Sequence, residues 1–293
     1  MTLTDQLVQF VLSGLMVGAI YALIALGFTM IYNATDAINF AQGEFVMLGG
    51  MTAVAYQRAG APLWLACLLA VATGTVIGVL LERLTLAPLR RVTVVNMIII
   101  TIGGSILLKG GAMLTWGKDA ASLPSFSGDA PLPVLGATVL PQALWILGTT
   151  IVVVTAVRLF FARTTAGKAM RAAAANGFAA TLVGVDVKRM VAYSFALSAG
   201  VGAIAGIIIT PVALTAFDRG TMLGLKGFSA AILGGIGSGP GAVLGGLVLG
   251  VLESVSAGFV SSGYKDAIAF LLLIVMLLVR PQGFFGAAAA RKA

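Results

Sequence analysis

The chain has 293 residues, of which 59% are hydrophobic and only 10% charged, and its mean hydropathy is +1.07. A soluble domain carries about 25% charged residues, so too few charges remain to coat a water-facing globule, and the surface is expected to face lipid. The absence of histidine and the single Cys67 remove disulfide frameworks, cysteine metal clusters and most zinc or Ser-His chemistry.

Apolar runs of about twenty residues follow one another, as spanning helices require, whereas barrel strands would alternate over about ten. Met1–Gln6 has no basic n-region, so the first run, Leu7–Tyr32, is expected to be retained as a helix. Ile38–Tyr56 is the second run and carries Asn39, Gln42 and Glu44; Leu63–Leu81 is the third, and the basic loop Glu82–Arg91 follows it. Val94–Leu114 precedes Trp116–Gly136, a stretch of Pro, Ser, Asp and Gly that reads as an exposed loop. Leu140–Phe161 and Met190–Val212 flank a polar, basic connection, and Thr215–Lys226 reads as a further loop. Phe228–Ile236 is too short to cross a bilayer alone and leads into a Gly-rich break; Ala242–Val260 and Tyr264–Val279 close the series. The expected fold is all-α: a polytopic bundle of eight or nine segments, one of them discontinuous, forming a single transmembrane domain over residues 1–293.

Twelve of the 18 Lys and Arg fall in Glu82–Arg91, Arg158–Arg189 and the tail from Arg280. Cytoplasmic loops are rich in Lys and Arg, which explains the net charge of +8 without nucleic acid. This side is expected to be the cytoplasm, with the C-terminus on it and the N-terminus outside. Five Gly-x3-Gly spacings, at Gly14/Gly18, Gly74/Gly78, Gly202/Gly206, Gly241/Gly245 and Gly246/Gly250, point to close helix packing.

Charge inside a membrane is costly and turns inward. Glu253 shares a helix face with Gly246 and Gly250, so it is expected to point into the bundle, as structural tie or pathway lining. Lys109, near the end of its run, can snorkel outward. Asn39, Gln42 and Glu44 can line a polar cavity or brace a helix entry; on a helix, Glu44 is rotated away from the other two. There is no Walker motif, cofactor motif or metal cluster, so energy comes from a partner or an ion gradient. The stretch at about 163–187 is rich in alanine and poor in acids, as suits a short helix docking into a groove of another protein.

At these residues the chain resembles the LivH-type permeases of branched-chain amino acid ABC transporters. The resemblance rests on Gly18–Gly27; Ile38-Asn-Phe-Ala-Gln-Gly-Glu44; Thr165-Ala-Gly-Lys-Ala-Met-Arg-Ala172 with Asn176 and Gly184; Ala231–Gly245 with Glu253; and Arg280-Pro-Gln-Gly283. It implies a permease subunit, not an enzyme, in the bacterial inner membrane. It also implies a second related permease, two cytoplasmic ATPases and a periplasmic substrate-binding protein, with alternating access driven by ATP. The segment at about 163–187 would then be the ATPase coupling loop, with Thr165, Gly167, Arg171, Ala172, Ala173, Asn176, Gly177 and Gly184 in its motif. It departs from the importer pattern Glu-Ala-Ala-x3-Gly in having Arg171 where the acid stands. Urea or short-amide ABC permeases share much of this signature, and an ion-coupled secondary transporter is the reading from another class.

Overall fold

The computed structural model describes residues 3–88, 93–134, 136–259 and 261–286, so Arg90, Arg91, Arg291 and Lys292 of the basic side lie outside the described residues. Within them the helices are α1 (Leu3–Thr35), α2 (Gln42–Arg58), α3 (Leu63–Leu81, continued by a π turn Glu82–Leu86), α4 (Val94–Trp116) and α5 (Pro141–Arg163). There follow α6 (Thr165–Ala175), α7 (Gly177–Leu182), α8 (Val187–Ile209), α9 (Arg219–Gly234), α10 (Gly239–Phe259) and α11 (Lys265–Val279). A small antiparallel hairpin, β1 (Leu132–Val134) and β2 (Ala137–Val139), ends the long loop after α4. Among the described residues six helices are long and apolar enough to cross a bilayer: α1, α3 with its π turn, α4, α5, α8 and α10.

The bundle is built around α1 and α8. α1 has 33 residues, about 50 Å, and is almost continuously buried from Gly18 to Ile31. α8 is buried from Ser198 to Ile208, interrupted only at Ile204. α3, α4 and α5 form the rim and turn Leu68, Val76, Ile106, Leu107, Ile151 and Val152 outward. In water such exposure would be a liability; for helices that satisfy their own backbone groups it is a lipid-facing surface.

Small residues set the helix spacing. Gly14 and Gly18 of α1 meet the backbone of Gly246, Leu247, Gly250 and Val251 of α10. Gly74 and Gly78 of α3 lie on Ala203 and Ala199 of α8, and Gly202 and Gly206 of α8 lie on Phe45 and Val46 of α2. Gly241 and Gly245 of α10 abut Gly234 and Ala230 of α9. All five spacings read from the sequence are therefore interhelical contacts.

One expected loop is wrong. Residues 219–226 are helical, and Phe228 and its neighbours form the second half of a continuous 16-residue helix, α9. Gly220, Gly224 and Gly227 look like breakers but are contact residues: the first two lie against Gly43 of α2, the third against Ile24 of α1. Lys226, which looks like a loop charge, is buried. The expected Gly-rich break is the turn between α9 and α10, with Gly235 at φ 100° and Gly237 at φ 93°, and further irregular backbone lies before α2 and before α9. Asp36, in the left-handed region at φ 52°, turns the chain out of α1 toward α2. The segment after α8 folds back to Arg219, with Thr210 and Thr215 against Gly50. α2 and α9 therefore begin beside each other within the bundle.

Loop contacts define two ends. At one end Gln9 exchanges two hydrogen bonds with the backbone of Thr138, at 3.0 and 2.8 Å. At the same end Ala121 and Thr215 form an antiparallel bridge, and Ser122 donates to the Thr210 carbonyl. At the other end Asn33 donates to the Gly237 carbonyl (3.0 Å), and Phe284 and Phe285 donate to the Leu233 and Gly234 carbonyls. Arg280-Pro-Gln-Gly283 is thus a turn that brings the chain onto the end of α9, where Gly283 (φ 75°) touches Gly235.

A Cβ on Gly250 would overlap the Gly18 backbone, which cannot retreat without shifting α1. Gly250→Ala is expected to destabilise the bundle by about 1–3 kcal/mol, read as a lowered melting temperature in detergent. Gly110→Ala, where a Cβ meets nothing, is the matched control.

Candidate functional site

The four candidate path residues do not form one site. Asn39 and Gln42 brace the α1–α2 connection. The Asn39 side chain accepts from the Ala41 amide at 3.0 Å, and its carbonyl from the Gln42 amide at 3.2 Å. Gln42 is fully buried; it lies 2.5 Å from the Ser198 hydroxyl, which also reaches the Gly27 carbonyl at 2.9 Å. These bonds join α1, α2 and α8 and leave little room for a ligand.

Glu44, two residues on, faces the opposite side of α2, as helical geometry requires. Its Oε1 accepts from Ser105 of α4 at 2.8 Å and from Thr221 of α9 at 3.0 Å. Its Oε2 is buried against Gly220 with no hydrogen-bond partner among the described residues. Ser105 and Thr221 border a cavity of about 220 Å³ between α4 and α9. Phe28, Phe40 and Phe228 form its inner wall, Ile106 and Leu225 its rim, and Lys109 also lines it. Lys109 is one turn beyond Ser105 on the same face of α4 and acts electrostatically on Glu44.

Glu253 belongs to a separate cluster. Lys226 of α9 bonds it at 2.8 Å and Asp266 of α11 at 2.6 Å, while Lys265 reaches Glu253 at 3.3 Å. The Lys226 ammonium also sits 5.7 Å from the centre of the Tyr21 ring. Two cations and two anions thereby tie α9, α10, α11 and α1 together. A buried charge left single costs more than the pair, so the cluster stands or falls as a unit.

The stretch between α5 and α8 is two short helices. Thr164 caps α6 by accepting from the Gly167 amide (2.9 Å), and Asn176 caps α7 by accepting from the Ala179 amide (3.0 Å). Gly167 lets α6 fold back onto Phe160 and Phe161 of α5, and Gly184 (φ 87°) turns the chain toward α8. Thr165 opens α6, and Arg171 lines a cavity of about 690 Å³ that also borders α1, α5 and α10. Ala172 is exposed, Ala173 partly so, and Gly177 begins α7. Much of the sequence motif is therefore capping and turning. The residues that stand outward are Phe178, Leu182 and Val183, at 77%, 73% and 78% exposure. In the sequence Leu182 and Val183 stand beside Gly184 in the family-like loop stretch, whereas Phe178 resembles ordinary helix filler. Ser105, Thr221 and Lys226 were missed because their partners are 61, 177 and 27 residues away.

A lipid-facing helical bundle with buried polar and ionic clusters, and a short paired-helix connector at one end, is the build of a polytopic membrane permease. Residues 10–277 match the model of the branched-chain amino acid transport system permease component, and the chain belongs to that family. It is similar to the high-affinity branched-chain amino acid transport system permease protein LivH of Salmonella typhimurium and of Escherichia coli. Each is 35% identical over 303 residues, covering 95% of both chains. It is also similar to BraD of Pseudomonas aeruginosa, of the same description, at 34% identity over 294 residues and 95% of both chains.

Lys226→Met leaves Glu253 buried with only the more distant Lys265 beside it. It is expected to cost about 3–5 kcal/mol, measured by thermal unfolding in detergent. The double variant Lys226→Met/Glu253→Gln is expected to recover most of that loss.

Proposed function

We propose that this chain is the membrane-spanning permease of an ATP-driven importer of branched-chain amino acids. In this reading it pairs with a second, related permease. Two ATPases sit on the cytoplasmic side and a binding protein delivers substrate from the periplasm. The family and the names of its relatives support the class of transport. The observation that carries the mechanism is the exposed apolar group Phe178, Leu182 and Val183 on and after α7. No lipid-spanning role suits so short a helix at the end of the bundle; a groove on a soluble partner does.

The connector then lies in the cytoplasm as the coupling loop, over about residues 163–187. The contacts at the two ends support nine membrane segments. α2, α9 and α11 are the short ones, the N-terminus is outside and the tail inside. The discontinuity is the re-entry before α2 and before α9 rather than a break within α9. ATP binding draws the ATPases together, and α6 and α7 pass the displacement to α5 and α1. Of the four path candidates, Glu44 is the one placed beside the route. Asn39 and Gln42 brace the helix entry behind it, and Glu253 belongs to the separate ionic tie of α9, α10 and α11.

The cavity beside Glu44 opens between Ile106 and Leu225, both exposed. A polar-floored mouth is costly against acyl chains, so this face meets the second permease. In a Cys67→Ser background, Ile106→Cys is expected to cross-link to the companion permease in membranes. Absence of any cross-link at Ile106, Ile102 or Leu225 would remove that placement.

For coupling, Phe178→Asp and Ala173→Glu are each expected to lower ATPase copurification and leucine uptake by about thirtyfold, as loss of a central contact worth about 2 kcal/mol does. Insertion and melting temperature should be unchanged. Normal uptake by the inserted variants would overturn the assignment of the loop. Uptake by the chain alone, indifferent to ATP depletion, would replace the importer with an ion-coupled transporter.

A further inference from the structure

The cavity between α4 and α9 is lined at its polar end by Lys109 and by two hydroxyls that stand in front of Glu44, and is apolar elsewhere. The Ser105 and Thr221 hydroxyls both spend their hydrogens on Glu44 Oε1. A hydroxyl has one donor and two acceptor lone pairs. With the hydrogens turned toward Glu44, the two oxygens offer lone pairs to the cavity, so this pole accepts hydrogen bonds and is backed by a carboxyl group. Lys109, one turn along α4, offers only donors and a positive charge. The rest of the wall is Phe28, Phe40 and Phe228, with Ile102, Ile106 and Leu225 at the rim.

Each simpler ligand fits part of this arrangement. A metal cation or alkylammonium would suit the hydroxyl pole and be repelled by Lys109. A carboxylate or phosphate would suit Lys109 and be repelled by Glu44. A purely apolar molecule would leave both poles unsatisfied, at the cost of desolvating them. A small molecule carrying an ammonium and a carboxylate a few ångströms apart, with a hydrocarbon branch, answers all three features. The volume of about 220 Å³ is below the 300–1,000 Å³ or so of drug-sized sites, which suits a single small metabolite.

We propose that this cavity binds an aliphatic amino-acid zwitterion. Its ammonium lies on the Ser105 and Thr221 oxygens in front of Glu44, its carboxylate on Lys109, and its side chain among Phe28, Phe40 and Phe228. The inference rests on the permease reading and deepens it, because it assigns to the permease a substrate-recognition site of its own. Lys109, which from sequence could snorkel to the boundary, is here a recognition residue. Gly224, which lines the cavity, would turn a Cβ onto the Gly43 backbone, so it holds α9 against α2 beside the site.

The test uses the purified full-length chain with Cys67→Ser and Leu225→Cys, labelled by N-ethylmaleimide. Leucine is expected to protect the new thiol. Leucinol, which lacks the carboxylate, and 4-methylpentanoate, which lacks the ammonium, are expected to need at least about tenfold higher concentration, since hydrogen bonds to charged groups are worth about 1.5–3 kcal/mol. Adding Lys109→Met should remove the preference for leucine over leucinol. Adding Ser105→Ala/Thr221→Ala should remove the preference over 4-methylpentanoate. Equal labelling with and without leucine, or equal protection by all three compounds, would overturn the site. Leucine uptake by cells expressing the chain with its companion subunits separates the two levels. Uptake that persists at the parental level in Lys109→Met and in Ser105→Ala/Thr221→Ala rejects the site and leaves the permease reading standing. No uptake by the parental chain rejects that reading itself.

Discussion

Everything in this bundle depends on how closely two helix backbones can approach where α1 crosses α10. In lipid, burying leucine against leucine gains little, because the acyl chains are equally apolar. Association must come from dispersion and from backbone contact, and both require that nothing stand between the helices. Gly14 and Gly18 on one side and Gly246 and Gly250 on the other leave only the small side chains of Ala22 and Ser254 beside that line. The same device recurs between α3 and α8, α8 and α2, and α10 and α9. α1 and α8 thereby become a buried axis in a protein whose rim is greasy.

Close packing has an electrostatic consequence. Once α9 is drawn against α1, α2 and α10, the polar groups it carries have no solvent and must find partners inside the bundle. Lys226 finds Glu253 and Asp266, and Thr221 finds Glu44. The two solutions differ in kind. The Lys226 cluster sets cations against anions across four helices, so it acts as a rivet. Each group leaves one carboxylate oxygen buried without a hydrogen-bond partner among the described residues, but the Glu44 group has its two hydroxyl partners at a cavity wall. Hydroxyl oxygens with free lone pairs facing a cavity are the more natural place for a ligand.

What could be read from the sequence follows from which signals are local. Spans governed by hydropathy alone were legible nearly to the residue: α3 occupies the expected Leu63–Leu81, α4 begins at the expected Val94 and ends two residues later, and α5 differs by one residue at its start and two at its end. Helix-facing glycines were legible because a four-residue spacing is a local signal. α9 was not. Gly220, Gly224, Gly227 and Lys226 are the residues a loop would use, and only contacts with α2, α1 and α10 turn them into helix. The site suffered for the same reason. Glu44 stood out as a charge in an apolar run, but Ser105 and Thr221 are ordinary residues until the fold brings them to it. In the connector, Asn176, Gly167 and Gly184 drew attention as a motif, yet they cap and turn; the outward Phe178 carries no pattern of its own.

A push on α7 reaches α6, and Gly167 seats α6 directly on the α5 backbone. α5 lies along α1, and α1 is joined to α10 through the glycine line, so these helices form one stiff body. The large cavity beside α6 lies inside that body, between α1, α5, α6 and α10. Across the α4–α9 seam the connections of Glu44 are two hydrogen bonds from hydroxyls, at 2.8 and 3.0 Å, with a cavity next to them. Two bonds of this kind hold about 1 kcal/mol each, far less than an extended close-packed crossing. α9 is itself packed on α2 at Gly43, so the lightly held side of the Glu44 seam is α4, joined to Glu44 through Ser105. In the proposed importer this seam is where a stroke delivered at the cytoplasmic end would open or close a site. A ligand that bonded both α4 and α9 would stabilise one of those two states over the other, and that difference in affinity is what coupling transport to a conformational change requires.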